Sequence, residues 1–236
     1  MTRPVLLNNV DHKNLRVDTK SHSAALGDAV MLALTFPAEF RNVQACYPIV
    51  FHKGADGVFQ PFALFGFSDG QNLFLAPGDR WDANYIPLAI ARQPFMIGRQ
   101  DGAPVVHIDL DSPRIGAGQG EALFLAHGGT TEFLDHASSI LLALHDGLNA
   151  MPAFIDALLR HSLLETFVLD VELDDGRQCR LTGFYTIHEE RLRALAADAL
   201  AELHAAGHLE AIYMTLASLS HLRDLIDRMN RNDAAR

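Results

Sequence analysis

The chain has 236 residues, 49% hydrophobic and 20% charged, enough for a sizeable core and without a biased tract of the kind that stays disordered. Its 19 basic and 29 acidic residues leave a formal charge of −10, which opposes binding to a phosphate backbone, so nucleic acid is not an expected partner. Two cysteines without CxxC or finger spacing exclude a disulfide framework, and the longest apolar runs fall far short of the ~20 residues that cross a bilayer as a helix.

The opening stretch, MTRPVLLNNVDHKNLRVD, loses its apolar character at Asn8-Asn9, so no secretory signal is read and a reducing, cytoplasmic location is expected. The first half then reads mainly as strands: residues 26–36, 47–52, 58–67, 71–76, 94–98 and 104–110 are apolar or β-branched runs bounded by Gly, Pro, Asp or Asn. Gly54-Ala55-Asp56-Gly57 predicts a hairpin, and Asp69-Gly70 a second reversal. Phe36-Pro37-Ala38-Glu39-Phe40 predicts a short helix, with Pro37 at a first helical position and Glu39 favoured by the helix dipole. Another short helix is expected between Pro87 and Pro94. The stretch Pro113–Gly120, PRIGAGQG, reads as a flexible loop between a β-rich front and a mixed rear.

The second half turns helical. Phe133, Ala137, Ile140, Leu141, Leu144 and Leu148 recur at spacings of three and four, with Thr130 or Thr131 as cap, and Pro152 is expected to start a separate helix. Asp174-Asp175-Gly176 predicts a hairpin between residues 164–174 and 177–185. A closing helical hairpin follows, broken at Gly207, with apolar stripes centred on Leu200 and Leu216. The fold class expected is α+β, a mainly antiparallel β-rich front packed with helices from the rear. It is read as one domain over residues 1–236, with 1–112 and 121–236 as the subdomain division.

Tyr47-Pro48-Ile49-Val50-Phe51, Ala63-Leu64-Phe65-Gly66-Phe67, Asn72-Leu73-Phe74-Leu75 and Trp81-Asp82-Ala83-Asn84-Tyr85-Ile86-Pro87, then Pro94-Phe95, form a distinctive block. Toward the rear stand Gly120-Glu121-Ala122-Leu123-Phe124 and Leu181-Thr182-Gly183-Phe184-Tyr185. Together these segments resemble the SapC family of bacterial proteins over nearly the whole chain. The family is associated by name with surface layers, and the resemblance implies an accessory or recognition role in a cell-envelope or uptake pathway. The chain departs from the family at Ala91-Arg92-Gln93-Pro94-Phe95, where consecutive arginines and an aromatic often precede Pro-Phe.

The chemistry-bearing segment is Gly78–Tyr85, which gathers two carboxylates, a guanidinium, an amide and two aromatics. Such a set can stack on a ligand and hydrogen-bond its polar edges. Lys53, Asp79, Arg80, Trp81, Asp82, Tyr85 and Arg92 are therefore the candidate binding residues, for a protein, peptide or small-molecule partner. The simpler structural account buries Trp81 and Tyr85 as anchors and leaves the charges to solvent. Asp79 and Asp82 also suit an acid/base pair, which would make the chain an enzyme on a peptide, amino-acid-derived or sugar substrate, but no catalytic residue is assigned. A structural homo-oligomer is the third alternative.

No cofactor or metal is called for. His204 and His208 have helical metal spacing, yet Gly207 interrupts them, and Glu132 with His136 reads as a helix-surface pair. Gly116, Gly118 and Gly120 form GxGxG without the residues that complete a nucleotide loop. Cys46 and Cys179 read as small packing residues. Arg223, Arg228, Arg231 and Arg236 alternate with aspartates, as on a solvated helix face.

Overall fold

The computed structural model describes residues 3–116 and 120–234. Gly118 of the GxGxG series, the centre of the Pro113–Gly120 loop and Arg236 lie outside the described residues. The elements run β1 (Pro4–Leu6), β2 (Arg16–Val17), a 3-10 turn (Ala24–Leu26), β3 (Leu32–Leu34), and a second 3-10 turn (Pro37–Glu39) leading into α1 (Phe40–Val43). β4 (Ile49–Lys53), β5 (Phe59–Leu64), β6 (Leu75–Ala76), β7 (Arg80–Trp81), α2 (Leu88–Ala91), β8 (Phe95–Gln100), β9 (Ala103–Asp109), β10 (Ile115–Gly116) and β11 (Glu121–Ala122) follow. The rear holds α3 (Glu132–Arg160), β12 (Leu164–Glu172), β13 (Gln178–Ile187), α4 (Glu189–Arg193), α5 (Ala197–Ala205), α6 (His208–Ser218) and α7 (His221–Ala234). The fold is α+β with antiparallel sheets. It divides into two compact units interleaved in sequence, the first from residues 1–29, 75–82 and 88–146, the second from 30–74, 83–87 and 147–236.

The first unit contains a sheet of order β1-β9-β8, a small sheet β10-β2-β11 and the hairpin β6-β7. Asp101 and Gly102 close β8–β9 at φ 51° and 82°, the paired positive angles of a tight two-residue turn whose twist suits the strands. Its core joins Val17, Phe95, Ile108 and Leu123 with Leu134, Ala137 and Leu141, the last three forming one stripe on α3. The Thr131 hydroxyl accepts from the Leu134 N–H at 3.3 Å, so the expected cap is in place.

The second unit is built on the sheet β12-β13-β4-β5-β3. Two of the predicted turns close its hairpins: Gly57 adopts φ 82° between β4 and β5, and Gly176 φ 83° between β12 and β13. Aromatic edges fill the core, with Tyr47 against Phe74 at 4.7 Å and Phe65 at 5.1 Å, and Phe40 against Phe154 at 5.9 Å. α5 and α6 form the expected helical hairpin around Gly207 at φ 73°. Its buried centres are Leu203 and Ile212, while Leu200 and Leu216 are only partly covered.

The run 71–76 is a strand only at Leu75–Ala76, and two further expectations need correction. Pro152 does not start a new helix; α3 runs through it for 29 residues. A proline inside a helix costs about 3 kcal/mol through a lost hydrogen bond and a steric clash. Buried Met151, Phe154, Ile155 and Leu158 lie beside it, each contributing about 1.5–3 kcal/mol, and they outweigh that cost. The run 26–36 is also not one strand. Only Leu32–Leu34 pairs, because Gly27 turns the chain at φ 88° and Asp28 is drawn into a buried ion pair.

Candidate functional site

In the first unit β6 and β7 pair Leu75 with Trp81 and Ala76 with Arg80. Gly78 at φ 80° and Asp79 at φ 53° reverse the chain between them. The reversal turns Asp79 and Arg80 to solvent, with Asp82 exposed just beyond the strand and Trp81 partly buried. Four of the seven candidate residues therefore share one short hairpin.

That hairpin is fastened from below. The His22 N–H donates to the Asp79 carbonyl at 2.8 Å, and the His22 ring meets Trp81 edge-on at 5.5 Å. His22 is itself buried, its Nδ1 3.3 Å from an Asp28 carboxylate oxygen. Asp28 is fully buried, and Nη2 of Arg114 donates to both of its oxygens at 2.6 Å. Nη1 of Arg114 donates to the carbonyls of Asp18 at 3.3 Å and Ser21 at 3.0 Å, and Nε to the Gln93 side chain at 3.4 Å. A guanidinium can leave water only when its donors are met this completely. The Ser21 hydroxyl, with the Ser21 and Lys20 N–H groups, holds the neighbouring Asp18 carboxyl below its ordinary pKa.

Arg92, also in the first unit, is committed to structure. Its Nη1 donates to the Phe95 carbonyl at 2.8 Å, and burial lowers its pKa. The remaining two candidates belong to the second unit. Lys53 ends β4 with Nζ 5.3 Å from the centre of the Phe59 ring, a cation–π contact. The Tyr85 hydroxyl donates to Glu39 Oε1 at 2.9 Å, and Thr35 Oγ1 donates to Glu39 Oε2 at 2.7 Å. Tyr47 donates to the Tyr85 carbonyl. Burial first, and the Glu39 carboxylate second, push the Tyr85 phenol above its ordinary pKa. Glu39 stands in the first turn after Phe36, as expected, and at 2% exposure it is also a buried acceptor for two hydroxyls.

The residues that sequence reasoning missed are His22, Asp28, Arg114 and Glu39. Asp28 and Arg114 stand 86 positions apart, and no local pattern announces such a pairing. Gly207 separates His204 and His208 into two helices. Among the described residues, no group of three or more His, Cys, Asp or Glu side chains is placed to hold a metal ion, and no helix is long and apolar enough to cross a membrane.

The profile of the SapC family matches residues 7–225. The chain belongs to the SapC family. No curated protein and no solved structure matches it. The SapC match takes in both the fastened hairpin of the first unit and the Glu39–Tyr85 network of the second. Among the SapC segments, Tyr47–Phe51 supplies a core aromatic and the start of β4, while Leu181–Tyr185 lies within β13, which pairs with β4.

Proposed function

We propose that this SapC-family chain is a non-catalytic recognition or accessory protein of a bacterial cell-envelope or uptake pathway, acting in the cytoplasm, with the β6–β7 hairpin as its recognition surface. The observation that carries this reading is one hairpin presenting Asp79, Arg80 and Asp82 beside Trp81, with its backbone held by buried His22. A surface that is ordered before it meets a partner loses less conformational freedom on binding. An aromatic ringed by polar groups is a common centre of such contacts, and its truncation can cost 2 kcal/mol or more, roughly 30-fold in affinity.

The test compares Trp81→Ala and Asp82→Asn with the parent chain in quantitative affinity capture of cellular proteins, alongside thermal melting. Both variants are expected to lose captured partner while melting within a few degrees of the parent. If Trp81→Ala instead melts many degrees lower and Asp82→Asn captures as well as the parent, the hairpin is a structural anchor and the reading fails.

A further inference from the structure

The second unit also contains a cleft of about 420 Å³, unrelated to the hairpin and within the size range of small-ligand sites. It is lined from the Pro37–Glu39 turn and α1, the second half of α3, and the start of α6. The sequence makes it hollow, because Ala38, Ala150 and Ala211 put only methyl groups where larger side chains would fill it. Its apolar surface includes Pro37 and Met214, and beneath it lies fully buried Phe154, whose ring centre is 5.5 Å from that of His208. Burial lowers the His208 pKa, so at neutral pH the imidazole is uncharged and offers one donor and one acceptor.

Two full charges line the same cleft. Arg41 Nη2 lies 2.5 Å from Glu210 Oε1, and the two side chains are 68% and 60% exposed. Among the described residues that is the one hydrogen bond made by either charged group, leaving most of the guanidinium donors and the second carboxylate oxygen available. An exposed pair of this kind contributes little to stability and separates readily. A ligand with one charge would strand the opposite member when it displaced the pair. A ligand carrying both charges would give each ion a new partner.

We propose that this cleft binds a small zwitterion, an α-amino acid with an apolar side chain. Its carboxylate takes the Arg41 guanidinium, its ammonium takes Glu210, and its side chain lies toward Met214 and the Ala38 and Ala150 methyls. The same chemistry is presented by a free amino acid and by a short peptide with both ends free, and the choice of probe separates them.

Calorimetric titration and NMR shift mapping of the full chain would use L-leucine, leucyl-leucine, leucinamide (no carboxylate) and 4-methylpentanoate (no ammonium). Leucine or leucyl-leucine is expected to bind, with the tighter of the two naming the source, and each single-charge analogue to bind at least about tenfold more weakly. Arg41→Ala and Glu210→Ala should each remove that discrimination, whereas Arg193→Ala, which breaks an exposed pair with Glu189, should leave it intact. Ala150→Trp, at an exposed helix position, should abolish binding with the circular dichroism and melting temperature preserved. The proposal is overturned if neither zwitterion binds at about 10 mM, if the analogues bind equally well, or if the folded Ala150→Trp variant binds as the parent does.

Discussion

Asp28→Asn tests whether the first unit depends on its buried charge pair. The substitution keeps the shape and one oxygen for the Ser23 N–H, which donates at 3.1 Å, but removes the carboxylate charge that faces Arg114. Arg114 is 3% exposed, so its charge gains almost no hydration in exchange. Breaking one side of a buried pair costs about 3–5 kcal/mol, and the retained oxygen places this variant near the lower end. Against a domain stability of about 5–15 kcal/mol, that is a large fraction. Urea unfolding followed by tryptophan fluorescence is the direct assay, since Trp81 is the single tryptophan and sits in the same unit against His22. Asp28→Leu and Arg114→Met, each alone and then together, supply a double-mutant cycle. The double variant should lose clearly less than the sum of the single variants, a coupling of about 1–3 kcal/mol. A loss under about 1 kcal/mol for Asp28→Asn, or strict additivity, would refute the reasoning.

Tyr85→Phe leaves Glu39 with one hydroxyl donor fewer in a buried setting and should cost about 1–3 kcal/mol in chemical unfolding. The raised phenol pKa means that its stabilising contribution is present below the ordinary value near 10 and is lost as pH climbs above it, which ultraviolet titration of the phenolates would follow. Gly147→Ala should destabilise even though alanine favours helices by about 1 kcal/mol, because its Cβ would overlap the buried Phe36 ring and overpacking costs about 1–3 kcal/mol. A variant that melts higher than the parent would show that Phe36 yields freely. For His208 the folded pKa is depressed, so its contribution is complete above about 6.5 and is lost as pH falls below that value. His208→Gln should therefore flatten the pH dependence of urea stability between pH 7 and 5, and identical slopes would count against it.

The hairpins β4–β5 and β12–β13 were legible because glycine- and aspartate-rich turns settle their register within a dozen residues. The cap of α3 was legible for the same reason, Thr131 acting within three positions of itself. Pro152 misled because its penalty is local, whereas the burial of Phe154 and Leu158 that overrides it belongs to the tertiary fold. The two-residue strands β2, β10 and β11 are too short to carry an alternating pattern. At the candidate site the reversal around Gly78-Asp79 and its exposed charges could be anticipated from turn chemistry. The division of the set could not: Tyr85 turns its hydroxyl to Glu39, 46 positions away, and residue type alone names no such partner. His22, Asp28 and Arg114 were invisible for that reason too.

The two units are assembled from three segments each, so the chain passes from one to the other five times between its ends. No single cut yields either unit whole. A truncated chain ending after residue 112 or beginning at 121 would carry fragments of both cores and the complete set of neither. Inheritance faces the same constraint as cloning: recombination cannot lend one unit to another protein as a contiguous cassette. The SapC match over residues 7–225 accordingly takes in segments of both units.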